Sequence, residues 1–200
     1  MGYPATINNL IECFRKLPGI GEKSAERMAL SLLNLDDDII SFFAENILAI
    51  NTKIKRCKIC NNFSEDDYCE ICKDSSRNCS TLCIVEEPKN IITLEKFGVF
   101  NGKYHVLGGL ISPLDGITPE DINISNIVER VKRENIKEVV IAVKPSVEGE
   151  TTARYISKIL SKPGVTISKI AHGVPIGADM DYLDALTLEL AFDNRTQISE

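Results

Sequence analysis

The sequence predicts a multi-part α/β protein: a helical N-terminal region, a four-cysteine zinc finger, a parallel α/β sheet and a C-terminal helix. Three observations carry this. Before residue 50, apolar side chains recur at helical spacing and are interrupted by Leu17-Pro18-Gly19-Ile20-Gly21. Two Cys-x-x-Cys pairs, Cys57/Cys60 and Cys69/Cys72, stand eight residues apart. From Thr81 onward, short apolar runs alternate with helical patterns, as in parallel strands joined by crossover helices.

The 200 residues are 44% hydrophobic and 26% charged, with a formal net charge of −6. No apolar run reaches the roughly 18 residues of a membrane span, and Met1-Gly2-Tyr3-Pro4 lacks the charged and apolar regions of a signal peptide. A cytoplasmic protein is expected. The acidic balance argues against coating nucleic acid through bulk charge but leaves room for local basic patches. The expected boundaries are 1–53 for the helical region, 54–78 for the zinc finger, 79–172 for the sheet domain and 173–200 for the C-terminal segment.

A first helix is expected over Ile7–Phe14, with Leu10, Ile11 and Phe14 on one side. Pro18 and Gly19 end it, and Gly19 and Gly21 allow a tight turn with exposed backbone. A second helix starts near Glu22 and turns Ala25, Met28, Ala29, Leu32 and Leu33 inward. Helix, glycine hairpin and basic helix together resemble the helix-hairpin-helix motif. In that motif, hairpin amides and the second helix's N-terminus face a phosphate, where the helix dipole favours an anion. Lys23 and Arg27, four apart, add charge-assisted bonds, and Arg15 and Lys16 flank the turn. Contacts of this kind hold the backbone and carry no base preference. The rival reading is an αα-corner that merely needs glycines. Gly21-Glu22-Lys23-Ser24 is no P-loop, because Gly does not directly precede Lys. After a turn at Leu35–Asp38, a third helix is expected over Ile39–Ile50, with Phe42, Phe43, Ile47 and Ile50 inward.

In the cysteine module each Cys-x-x-Cys pair grips one metal from a turn, and four soft thiolates suit tetrahedral Zn²⁺. The intervening Asn61–Tyr68 segment is polar and acidic around a single Phe63, too short to hold itself by apolar burial. Structural zinc supplies that folding energy, on the order of 10 kcal/mol or more. Disulfides require an oxidising compartment and a redox pair requires one Cys-x-x-Cys beside a βαβ unit; an iron–sulfur cluster is the remaining alternative, though such clusters usually use other spacings. Cys13, Cys79 and Cys83 then read as spare thiols, with Cys13 and Cys83 in apolar surroundings. The basic stretch Lys53-Ile54-Lys55-Arg56 is a solvated face or a second phosphate track.

Further on, strands are expected at Leu82–Val85, Tyr104–Leu107, Glu138–Val143 and Val165–Ala171. Helices are expected at Pro88–Phe97, Pro119–Asn135 (capped by Thr118 or Asp121), Glu150–Leu160 and Tyr182–Phe192. Function in parallel sheets gathers at strand C-terminal ends. Glu86-Glu87 and Glu148-Gly149-Glu150 lie at two of them, forming an acidic face suited to a basic partner.

An acidic residue after the first strand plus an acidic cluster ending Glu-Gly-Glu resembles the Toprim domain of topoisomerases and primases, which binds Mg²⁺ through a Glu and an Asp-x-Asp pair. Here the Asp-x-Asp positions are Lys144 and Ser146, so the resemblance implies the scaffold without the metal chemistry. The plainer reading of Glu148 and Glu150 is negative charge at a helix N-terminus. With Gly173–Asp184 added, the whole chain is similar to the RecR family of bacterial recombination mediators. Its signatures here are Leu17–Gly21, Cys57–Cys72, Asp74–Arg77, Leu82–Pro88, Val147–Ala153 and His172–Leu186. The family commonly carries Asn where this chain has Lys144. The resemblance implies no catalysis and a ring-like oligomer, usually a tetramer, that clamps gapped DNA. It also implies work with RecO, and often RecF, to load RecA on single strands, in the bacterial cytoplasm at the nucleoid. The alternative is a Mg²⁺-dependent Toprim nuclease or topoisomerase-like enzyme. The C-terminal stretch is described in the family as Walker-B-like, but without a P-loop Asp179, Asp181 and Asp184 read better as helix-starting residues.

Overall fold

The computed structural model describes residues 2–161, 164–171 and 173–197. The chain forms two compact units, one up to Ile54 and one from Lys55 onward.

The first unit holds α1 (Ala5–Arg15), α2 (Glu22–Leu32) and α3 (Asp37–Lys53). Gly19 takes the turn at φ +80°, where a side chain would be strained. The α1–α2 pair closes on Ile11, Ala25 and Ala29, with Ile7, Leu10, Phe14 and Ile20 packed around them. Small residues on α2 bring the two helices close. Three expectations fail here. Met28 and Leu33 are exposed rather than inward, and Leu32 is only half-buried. Phe42, Phe43, Ile47 and Ile50 of α3 are exposed as well, and α3 buries no residue fully. Cys13 is exposed. The cause is shared: within this unit nothing lies beyond the helices to cover a second apolar face.

The second unit begins with a two-stranded ribbon, β1 (Lys55–Arg56) and β2 (Phe63–Ser64), followed by a short helix α4 (Glu70–Lys73). A four-stranded parallel sheet follows, made of β3 (Asn78–Val85), β4 (Gly102–Val106), β5 (Glu138–Ala142) and β6 (Thr166–Lys169) in the order β4-β3-β5-β6. Alternation along β3 splits the core. Leu82 and Ile84 join Val139, Ile141, Ile127 and Ile156 on one face; Cys83 and Val85 join Tyr104, Val106 and Ile91 on the other. The first face is covered by α6 (Ser125–Arg133) and α7 (Val147–Leu160), the second by α5 (Pro88–Phe97). Burial pushes the Cys83 thiol up to about 12, which leaves it inert.

Residues 119–124 are turns, not the start of the expected Pro119–Asn135 helix. Asn123 is drawn out of helical geometry by β4 and the loop after it. Its N–H donates to the Leu107 carbonyl at 2.8 Å, its Nδ2 to the Val106 carbonyl at 3.1 Å, and its carbonyl faces His105 Nε2 at 2.7 Å. The helix α7 starts at Val147, three residues earlier than expected, because Ser146 caps it by accepting from the Gly149 amide. A Cβ at Gly149 would stand 2.0 Å from the Lys144 carbonyl, so glycine is what lets this helix start so near the end of β5. Past β6, Asp179 caps a 3-10 turn (Met180–Tyr182), and Asp184 caps α8 (Ala185–Asp193) by accepting from the Thr187 amide. The aspartates thus start helical segments, as their positions suggest. His172, part of the C-terminal signature, lies outside the described residues.

His105 is fully buried and donates from Nε2 to Asn123, leaving Nδ1 3.4 Å from Arg130. Burial, reinforced by the Arg130 charge, lowers it from 6.5 to about 4, against the opposing Asn123 bond. Between those values the unfolded chain takes up a proton that the folded chain refuses, so stability falls as pH drops from 6.5 toward 4. Urea unfolding of the wild type should lose about 2 kcal/mol more than a His105→Asn variant between pH 7.5 and 5. Equal losses contradict the assignment.

Candidate metal centre and nucleic-acid interface

The two cysteine pairs converge. Cys57, Cys60 and Cys69 are buried and Cys72 is half-buried, with all four Sγ atoms within 4.8 Å of one another. Tetrahedral zinc with bonds of about 2.3 Å asks for sulfurs about 3.8 Å apart. Cys60 and Cys69 Sγ stand at 3.5 Å. The first knuckle is held by the Cys57 amide on the Asn62 carbonyl and the Asn61 amide on the Cys57 carbonyl. Asn61 adopts φ +63°, the left-handed conformation that turns the chain sharply after Cys60. The second knuckle is the first turn of α4, entered at Cys69, whose amide donates to Cys57 Sγ at 3.3 Å.

Charge explains why this cage needs an ion. Hydrogen bonds from Cys60 and Cys72 hold the Cys69 thiolate far below its usual range. Cys60 is pushed far above its own by facing Cys69 and Cys72. Sulfurs this close cannot all ionise unless a dication lies between them. The donor set therefore fits Zn²⁺, and Cys57, Cys60, Cys69 and Cys72 hold one structural zinc.

At the glycine hairpin, Lys16, Lys23 and Arg27 are exposed, and among the described residues none of the three enters an ion pair. Arg15 pairs with Glu12 at 2.7 Å. Gly21 is the N-cap of α2 and offers no side-chain oxygen, so the first-turn amides keep their donors. In the basic stretch further on, Arg56 lies 4.6 Å over the Phe63 ring and donates to the Asn61 carbonyl, a structural use.

The strand ends bring Glu86, Glu87, Glu148 and Glu150 to one corner of the sheet domain, but as half-buried rather than freely exposed groups. Lys144 Nζ lies 3.4 Å from Glu86, Lys89 pairs with Glu87 at 2.6 Å, and Lys169 with Glu150 at 2.6 Å. Ser146 donates to Glu148 and lowers its pKa. The expected acidic patch is therefore partly neutralised from within.

Matches to family models cover nearly the whole chain: the RecR helix-hairpin-helix over residues 7–50, the RecR four-cysteine zinc finger over 54–74, a Toprim domain over 80–171 and the RecR C-terminal region over 173–196. The chain belongs to the RecR family. It is a RecR-type recombination mediator, built from a helix-hairpin-helix region, a four-cysteine zinc finger and a Toprim sheet. No helix among the described residues is long and apolar enough to cross a membrane.

The contacts made by several residues around β4 escape sequence reasoning: those of Asn61, Arg77, Lys103 and Arg130. Arg130 is buried, binds Glu134 at 3.1 Å and donates to the Tyr104 carbonyl at 2.6 Å. Arg77 joins Glu95 and donates to the Gly102 carbonyl at 2.9 Å. The available signal is a lysine and a histidine inside the strand-like Gly102–Val106 run, where charge has no place without a partner.

Stripping the zinc, or the double change Cys57→Ser with Cys60→Ser, should lower the melting temperature by about 10 °C or more, because the zinc finger has no other core. A zinc-free protein melting within about 2 °C of the loaded form contradicts this.

Proposed function

We propose that this chain is a non-catalytic, oligomeric DNA clamp that acts with RecO and RecF to load RecA on gapped single-stranded DNA. The observation that carries the reading is the glycine hairpin: Gly19 and Gly21 open the backbone, and Lys16, Lys23 and Arg27 stand exposed beside it, with Arg15 next to them. Backbone amides and mobile cations hold phosphate without reading bases. One hairpin on a chain of net charge −6 binds weakly, so several hairpins must act together.

The apolar surface supports an oligomer. Among the described residues of the first unit, Ile11, Ala25 and Ala29 are the fully buried apolar side chains, too few for a stable core. A groove of about 620 Å³ lies between α3 and the α1–α2 pair, lined by Leu10, Phe14, Leu17, Leu33, Phe43 and Ile47. Ile176, Tyr182, Leu186 and Phe192 expose a second apolar set in the C-terminal segment. Two exposed apolar surfaces per chain, each pairing with its counterpart on another copy, would close a ring, which we take to be a tetramer. Such a ring lengthens residence on DNA beyond what one hairpin achieves.

The Toprim corner supports a protein-binding rather than a magnesium-binding role. Lys144 sets an ammonium 3.4 Å from Glu86, where a dication would otherwise sit. A basic segment of RecO, displacing Lys144, Lys89 and Lys169, is the partner proposed for Glu86, Glu87, Glu148 and Glu150. The place of action is the bacterial cytoplasm, at the nucleoid.

Lys23→Glu with Arg27→Glu is expected to abolish binding to gapped DNA at low salt, at least about a hundredfold in affinity, while light scattering reports an unchanged oligomer. Undiminished binding removes the hairpin from the account. The same gapped and nicked DNA incubated with Mg²⁺ or Mn²⁺ should stay intact. Cleavage that disappears in Glu86→Ala would instead establish the nuclease reading.

A further inference from the structure

Lys103 presents a feature that neither DNA binding nor the four zinc ligands account for. It sits within β4, 7% exposed, and its ammonium leaves the sheet to reach the second cysteine knuckle. Nζ donates to the carbonyls of Ile71 at 2.8 Å, Asp74 at 2.6 Å and the ligand Cys72 itself at 3.4 Å. These are carbonyls at the C-terminal end of α4, where the short helix leaves its acceptors unsatisfied and where positive charge is favoured. An ammonium carries three donors, and here three carbonyls surround it. A buried lysine without such partners would be costly, so the lysine and the knuckle require each other. The first knuckle touches the same strand: the Val106 amide donates to the Cys60 carbonyl at 2.8 Å, and Asn61 Nδ2 to the Val106 carbonyl at 3.2 Å. Two ligand-bearing turns therefore lean on one strand, one through backbone and Asn61, the other through Lys103. Four thiolates around Zn²⁺ also leave net negative charge, which a neighbouring cation offsets.

We infer that Lys103 is a positioning residue for the zinc site: it locks the Cys69–Cys72 knuckle in metal-holding geometry from the Toprim sheet, so that zinc retention depends on a residue about thirty positions away in sequence. Groups that orient metal ligands typically change retention by about 10–100-fold when removed. Zinc release from the full-length, zinc-loaded protein to a chromogenic chelator at neutral pH tests this, at a temperature well below melting. Lys103→Met should release zinc at least about tenfold faster than wild type. Lys103→Arg, which keeps a cation of similar reach, should restore release to within about threefold. Arg130→Met is the control, since Arg130 supports the same strand at Tyr104 without touching a knuckle carbonyl. It should lower stability yet leave the release rate near wild type. Equal release from Lys103→Met and wild type overturns the inference, and so does equal acceleration in Arg130→Met. If Lys103→Met does not fold, the unsubstituted protein gives the answer by NMR. The Lys103 ammonium protons should be protected from exchange in the zinc-loaded form and lose protection on chelation. Protection that ignores the metal, or that is absent from both forms, overturns it.

Discussion

The unpaired edge of β4 is the constraint around which the second unit is arranged. A parallel sheet ordered β4-β3-β5-β6 leaves β4 with outward carbonyls at Gly102, Tyr104 and Val106. Left bare in a buried strand, each would cost about 1–3 kcal/mol and invite pairing with another chain. Here Arg77 takes Gly102, Arg130 takes Tyr104, and Asn61 and Asn123 take Val106. The Val106 amide finds Cys60. These partners come from the zinc finger, its exit and the segment around α6, which is why all five residues of β4 are buried although it is an edge strand. The zinc finger is thus more than a bead on the chain. It covers part of the β4 edge of the sheet.

A second consequence concerns the strand ends. The Toprim scaffold gathers carboxylates there, and gathered carboxylates need positive charge. In a metal-dependent enzyme that charge is a dication. In this chain lysines provide it, from Lys144 at Glu86, Lys89 at Glu87 and Lys169 at Glu150. The carboxylates at this corner are thus balanced from within the chain rather than left as bare charge.

The helical unit obeys a different balance. Alanines at 25 and 29 let α1 and α2 approach closely and give the hairpin a rigid base, but they bury little area. The larger side chains of α3, among them Phe42 and Leu48, remain in solvent. A unit this thin holds its glycine turn in shape on a small core and leaves most of its apolar surface uncovered.

Local chemistry makes much of this protein legible. Cys-x-x-Cys spacing dictates a metal cage because two turns with thiolates can close only one tetrahedron. Leu17-Pro18-Gly19-Ile20-Gly21 dictates a hairpin because proline ends the helix and glycine takes the positive φ at position 19 without strain. Alternating apolar strands and helices dictate the parallel sheet. Helical spacing misjudges burial on α3 because it says which face is apolar, not whether anything lies against it. The helix expected from Pro119 fails because Asn123 answers to β4 and its exit loop rather than to its neighbours in the chain. The contacts of Lys103, Arg77 and Arg130 with β4 and the second knuckle stay invisible for the same reason: they are made to carbonyls, which every residue possesses and no residue type announces. Residue identity alone thus settles which ligands, turns and elements exist, whereas the pairing of buried cations with distant backbone has to await the packed chain, because backbone acceptors acquire an address only when the strands are in register.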